Sequence, residues 1–268
     1  MKEMRVGYDE TERAESPYAR FFNPEMAPFQ KQVAEALLTG GVAEELMYPV
    51  ERAAEMREPG YWPVENGYSR APDGAIRVFC LTAMPGVTPA MWDWWFAWHG
   101  SEPERYKLWH PKAHVHVGWQ DGRDDLAHYV GRTSNIVEYL GSERINGAIG
   151  FVPPARMGLD ENELTARGEV AVCARVSFPN TPLRIGWLLH HIRPVPEGAE
   201  MRSRMWFGGS NVSLGDDPGS LGKAVGFIAG QLSRFKLPNP AELLAHASQE
   251  MSHLAVFLPE LHAAFNEN

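Results

Sequence analysis

Six strand-length runs of β-branched and apolar residues follow one another between residues 75 and 207, and after them the pattern turns helical. The runs cover 75–84, 113–119, 145–152, 169–178, 183–193 and 200–207. Runs of this length bounded by turn residues read as strands. Pro85-Gly86 turns the first run, and Pro196-Glu197-Gly198 joins the last two as a hairpin. Thr88-Pro89 starts a helix that Gly100 ends. Beyond the strands, 221–235 and 240–257 read as helices, with Pro259 as the stop. An antiparallel sheet carrying helices on one face is an α+β layer arrangement. A curved sheet around a long terminal helix encloses a cavity, where small ligands usually sit.

The 268 residues are 44% hydrophobic and 22% charged, which excludes a disordered chain, a coiled coil or a collagen. The net charge is −9 and there is no Lys/Arg run, so no nucleic-acid partner is expected. The charge is uneven: the first 69 residues hold 13 acidic and 7 basic side chains. That stretch also reads as helical. Asn23-Pro24 supplies an N-cap and a first-turn proline, and Phe29, Val33, Ala36 and Leu37 recur at helical spacing up to Gly40-Gly41. A second short helix is expected over 42–47, then a break at Pro59-Gly60 and Pro63, and a domain boundary near 66–69. No early stretch resembles a signal peptide and no run approaches 18 apolar residues, so no membrane span is expected. Cys80 and Cys173 sit in apolar runs and read as reduced core thiols of a cytoplasmic protein.

Four places could carry chemistry. On the last helix, His246 and Glu250 stand at i and i+4 and can hold one ion from adjacent turns. Such a pair is also common on a solvated face, but the apolar residues around it imply burial, and buried carboxylates need partners. In the run 113–119, His114 and His116 share a face by strand period, either as metal ligands or as a solvent-facing pair. One of His190 and His191 faces the cavity, and periodicity leaves the choice open. Glu138 is a lone carboxylate among apolar residues, by default a surface glutamate. Imidazole with carboxylate ligation suits zinc or non-haem iron. Tryptophan is the remaining anomaly: six of nine fall between Trp92 and Trp119. The helix holding four of them is too aromatic all round to lie on the surface, and aromatics lining a cavity suit a flat ligand. No GxGxxG, P-loop, GxSxG or CxxC is present, so nucleotide cofactors and serine or cysteine nucleophiles have no support.

Several segments resemble one family. They are 91–100 (MWDWWFAWHG), 105–114 (RYKLWHPKAH), 137–141 (VEYLG), 190–193 (HHIR), 200–204 (EMRSR), 246–250 (HASQE) and 257–261 (FLPEL). Together they resemble the zinc-dependent carbon–carbon hydrolases typified by 2,4-diacetylphloroglucinol hydrolase and phloretin hydrolase. The resemblance implies a helix-grip catalytic domain over 69–268, similar to the Bet v 1 and START-type folds. A small helical domain over 1–68, involved in forming a homodimer, would precede it. It also implies Zn2+ held by His114, Glu138, His246 and Glu250, with His190 as the catalytic histidine and Tyr106 beside the substrate. Two positions depart from the family pattern. Val117 stands where an Asn is expected and Met205 where a Tyr is expected, both at substrate-binding positions, which suggests a more apolar acyl pocket, or a phloretin-like or other aryl ketone as substrate.

The implied substrate is an aryl ketone on a polyhydroxylated ring, cleaved by water to a carboxylic acid and a phenol. Alternatives on the same cavity are a non-catalytic binder of hydrophobic small molecules and a non-haem iron oxygenase.

Overall fold

The computed structural model describes residues 4–125, 127–216 and 237–266, with positions 219, 222, 224–226 and 228 between the last two stretches. Nine strands form one antiparallel sheet: β1 Gly67–Arg70, β2 Ile76–Pro85, β3 His114–Trp119, β4 Thr133–Leu140, β5 Glu143–Val152, β6 Val170–Ser177, β7 Leu183–Val195, β8 Gly198–Phe207 and β9 Ser213–Leu214. The order across the sheet is β1-β2-β8-β7-β6-β5-β4-β3, with β9 paired to the start of β7. The described α-helices are α1 Glu10–Glu15, α2 Lys31–Thr39, α3 Pro89–Trp98, α4 Pro103–Trp109, α5 Glu161–Ala166 and α6 Pro240–Phe265. The sheet wraps the long α6, and α3 and α4 bridge β2 to β3. This is the α+β arrangement that the sequence pattern predicts, in the helix-grip form that the resemblance implies.

The hairpin expected at Pro196-Glu197 closes β7 onto β8, with Val195 opposite Gly198. Glycine is required there because a Cβ would lie 2.4 Å from the Met84 carbonyl oxygen. All six expected strands are present. β4 was not among them. Its burial does not alternate, because Ser134 and Glu138 face inward at the polar part of the cavity. An apolar-in pattern fails where the inner wall is itself polar. The helix expected from Asn23-Pro24 starts instead at Lys31. Asn23 Oδ1 does accept from the Glu25 N–H at 3.0 Å, but Pro28 disfavours helix just before it. The 42–47 segment is reduced to a 3-10 turn, Glu44–Leu46. The helix expected over 221–235 falls for the most part outside the described residues.

Pro259 does not stop α6, which continues to Phe265. The missing N–H costs one bond toward Ala255, on a half-exposed side of the helix. Leu258 and Leu261 are fully buried on the other side, and each such side chain contributes about 1.5–3 kcal/mol. Packing therefore outweighs the lost bond. Asn239 caps the start, accepting from the Ala241 N–H at 3.0 Å.

Both faces of the sheet are covered. On the inner face α6 packs Leu243, Leu244 and Ala247 against Ile76, Val78 and Met205. Further along it packs Leu254 and Leu258 against Met201 and Trp92. On the outer face Met47, Ala53 and Met56 join Met157 and Leu164 over Phe79, Leu189 and Trp206. Apolar residues of the first 65 positions are thus shared among the three clusters, with Tyr8 in one, Val33 in the next and Met56 in the third. Cys80 and Cys173 are buried free thiols, and burial pushes Cys80 up to about 11. Among the described residues no helix is long and apolar enough to cross a membrane.

Candidate metal centre and active site

His114 opens β3 and is paired in register with Glu138 on β4. His246 and Glu250 reach the same point from adjacent turns of α6. His114 Nε2 lies 3.4 Å from His246 Nε2, 3.4 Å from Glu250 Oε2 and 3.6 Å from Glu138 Oε2. His246 Nε2 lies 3.6 Å from Glu250 Oε2 and 3.8 Å from Glu138 Oε2. A tetrahedral zinc site with bonds of about 2.1 Å has ligand–ligand edges of roughly 3.4 Å. His114, Glu138 and His246 meet the geometry of a metal-binding group, and the Glu250 distances add a fourth donor at the same spacing.

Each donor is aimed by a neighbour. His114 Nδ1 is 3.0 Å from the Tyr106 carbonyl oxygen, which keeps the proton on Nδ1 and leaves Nε2 as the free donor. The Tyr106 ring stacks on His114 with centroids 3.7 Å apart, and its hydroxyl donates to Glu138 Oε2 at 2.5 Å. His110 stacks on His246 at 4.8 Å. Charge is poorly compensated: among the described residues no Lys or Arg pairs with Glu138 or Glu250. Burial raises the Glu138 carboxyl to about 7. Burial and the Glu138 charge raise Glu250 as well. Burial lowers His246 to about 4 and, with the neighbouring imidazoles, holds His114 well below its ordinary value. Two buried carboxylates and two neutral imidazoles converge on one point, and a dication there would neutralise the set. The donor set therefore fits the implied metal.

The cluster forms part of the wall of one cavity, with an empty volume of about 1080 Å³ including its mouth. His190 lines this cavity and His191 does not. His190 Nδ1 is 2.8 Å from Ser203 Oγ on β8, its ring stacks on Phe96 at 5.7 Å, and burial lowers it to about 3. His191 points to the outer face and contacts Glu169 at 2.9 Å. Tyr106 and Met205 line the cavity too. Val117 does not: it is buried in the aromatic core with Trp92 and Trp119. The expected common face for His114 and His116 is corrected by a bulge between them, which re-aims the strand and leaves His116 half-buried, away from the cavity. His253, one turn beyond Glu250, accepts at Nδ1 from the Ala27 N–H.

Three lining residues with hydrogen-bonding side chains lie outside the set expected from the sequence. His99 hydrogen-bonds through Nδ1 to the Trp95 carbonyl at 2.8 Å, which leaves Nε2 as an acceptor. Trp109 Nε1 and Ser134 Oγ are buried with no hydrogen-bond partner among the described residues. The signal for His99 was its place at the end of the tryptophan helix, where the Trp95 carbonyl is four residues back.

A family model described as the DAPG hydrolase PhiG domain matches residues 47–263. The chain belongs to that family. It is 32% identical over 266 residues to the 2,4-diacetylphloroglucinol hydrolase of Pseudomonas protegens, covering 93% of this chain and 84% of that one. It is 29% identical over 277 residues to the phloretin hydrolase of Eubacterium ramulus, covering 97% and 94%. Membership makes it a hydrolase, as the resemblance implied. Among solved structures, Ara h 8.0201 aligns at 14% identity and a TM-score of 0.34, over 65% of this chain and 99% of that one.

Proposed function

We propose that this DAPG hydrolase family member is a zinc-dependent hydrolase that cleaves the carbon–carbon bond between an acyl group and a polyhydroxylated aromatic ring. Water is consumed, and a carboxylic acid and a phenol are released. The observation that carries this reading is the convergence of His114, Glu138, His246 and Glu250 on the wall of a cavity lined by aromatic rings. A zinc ion held there supplies a Lewis acid and a water of lowered pKa.

The chain's own residues do the rest. Phe96, Trp109 and Phe151 offer faces and edges to a flat ring. His99 Nε2, Ser134 Oγ and Trp109 Nε1 meet its hydroxyls, which satisfies the two buried atoms otherwise without partners. Tyr106 stays protonated because burial, with the Glu138 charge, raises its hydroxyl. Its proton goes to Glu138, so toward substrate its oxygen acts as an acceptor for a ring hydroxyl. His190 is neutral at neutral pH, anchored at Nδ1 by Ser203, with Nε2 left for substrate. It takes the proton of an ortho hydroxyl and returns it to the ring carbon, which makes that carbon a leaving group. The ketone carbon gains the hydroxyl of water, the bond to the ring breaks with its electron pair passing to the ortho oxygen as phenolate, and water's remaining proton goes to that oxygen.

Elemental analysis of freshly purified protein, paired with turnover of acylphloroglucinols followed by loss of ketone absorbance, tests the reading. About one zinc per chain is expected, and His246→Ala should lose both zinc and turnover. Iron with oxygen uptake would replace the hydrolase by an oxygenase, and full activity without metal would end the zinc mechanism.

A further inference from the structure

The cavity has two unlike ends. Phe96, Tyr106 and Trp109 belong to one apolar cluster, His99 and His190 pack on the Phe96 ring, and Ser134 stands opposite Trp119 of that cluster, so this part of the lining mixes aromatic faces with donors and acceptors. The rest of the wall, Leu140, Val176, Ile185, Met205, Phe207 and Leu243 with Ile145 and Leu188 packed on them, forms a second and wholly apolar cluster. Among the described residues none lining that side carries a charged group or a hydrogen-bonding side chain. The strand registers fix its direction. Leu140 lies two residues beyond Glu138 on β4, Leu188 two before His190 on β7, and Met205 two beyond Ser203 on β8. Given the antiparallel pairing, all three steps run the same way along the sheet. Leu243 lies seven residues before Glu250 on α6, roughly 10 Å along the helix axis. The arm ends toward the surface at Phe178, which is 36% exposed, and Pro238.

We infer that this apolar arm receives a hydrocarbon acyl chain, so that the preferred substrate is a polyhydroxylated aryl ketone bearing a long alkyl acyl group. This rests on the acyl-hydrolase reading. The polar end claims the hydroxylated ring, which leaves the arm for the acyl side of the ketone. An acetyl group would leave the arm empty of apolar contacts. A hydroxyphenyl-ended chain would bury its hydroxyl against a wall whose described side chains offer it no partner. An alkyl chain meets neither cost and gains burial with each added carbon.

The test uses the zinc-loaded full chain with acetyl-, butanoyl-, hexanoyl- and octanoylphloroglucinol, and with phloretin. kcat/KM should rise by about three- to fourfold per methylene until the arm is full. Phloretin should fall roughly ten- to hundredfold below an alkyl ketone of similar size. In parallel, dissociation constants of alkylresorcinols, which carry the chain on a ring that cannot be cleaved, are read by tryptophan quenching and should fall with chain length. Ile185→Trp, which fills the arm, should lower the octanoyl-to-acetyl ratio of kcat/KM at least about tenfold. Should that variant not fold, Val176→Leu should shift the ratio the same way by less. Fastest turnover of the acetyl ketone, phloretin outrunning the octanoyl ketone, or alkylresorcinol affinities independent of length would each overturn the proposal. If no ketone is cleaved while affinity still climbs with length, the hydrolase reading falls and the arm remains a hydrocarbon-chain site.

Discussion

The two faces of the β7–β8 ladder treat charge in opposite ways. On the outer face every charged group has an opposite partner. Glu65 holds both Arg202, at 2.7 Å, and Arg204, and Glu200 pairs with Arg193. His191 meets Glu169. Burial acts to raise Glu65, but the two arginines outweigh it and hold its carboxyl below the ordinary value. One residue away on the same strands, the inner face carries His190, Ser203 and Met205, and among the described residues no Lys or Arg pairs with the carboxylates Glu138 and Glu250 of that cavity. The EMRSR stretch thus serves both faces. Its arginines tie the N-terminal segment to the back of the sheet, and Ser203 anchors the histidine within. Compensated charge on one side stabilises the fold, and uncompensated carboxylates on the other mark where a cation from outside is needed.

The largest effect that would break this contrast lies at the cluster. Glu250→Gln should remove the metal and abolish turnover while the outer ion pairs keep the chain folded, as metal content and circular dichroism would report. A variant that retains metal and full activity would remove Glu250 from the ligand set. Next comes the histidine pair. His190→Ala should keep the metal and lower kcat about 10²–10⁴-fold, as loss of an acid–base group does. His191→Ala should leave kcat within a few-fold and lower thermal stability instead, and the reverse pattern would invert the two faces.

On the outer face, Glu65→Ala leaves Arg202 and Arg204 buried without their counter-charge. Denaturant unfolding should report a loss of about 3–5 kcal/mol. An unchanged midpoint would show that the network holds nothing together.

The smallest effect is on pH. Burial lowers His99 to about 4 and His190 to about 3 in the folded chain, against an ordinary 6.5. Between those values the unfolded chain binds protons that the folded chain does not. Their contribution is therefore fully present above about pH 6.5 and is lost as pH falls toward 4. The melting temperature should drop over that window, and His99→Gln should flatten part of the slope. A slope unchanged in that variant would mean that His99 titrates alike in both states.

Much was legible in the sequence because it is local. Strand and helix periods, the Pro196-Glu197 turn and the stacking of His246 with Glu250 on one face of α6 follow from backbone geometry within a few residues. Asn239 and Pro240 mark the start of that helix in the same way. The resemblance carried the ligand set and His190, which local pattern alone left open. Tertiary structure decided what depends on partners far along the chain. The bulge after His114 separates it from His116, and the β3–β4 register brings Glu138 opposite His114. The packing of Leu258 and Leu261 carries α6 past Pro259. Alternation puts His190 and His191 on opposite faces of β7. Which of them meets the cavity is set by which side of the sheet α6 covers, a long-range contact that no run of neighbouring residues encodes.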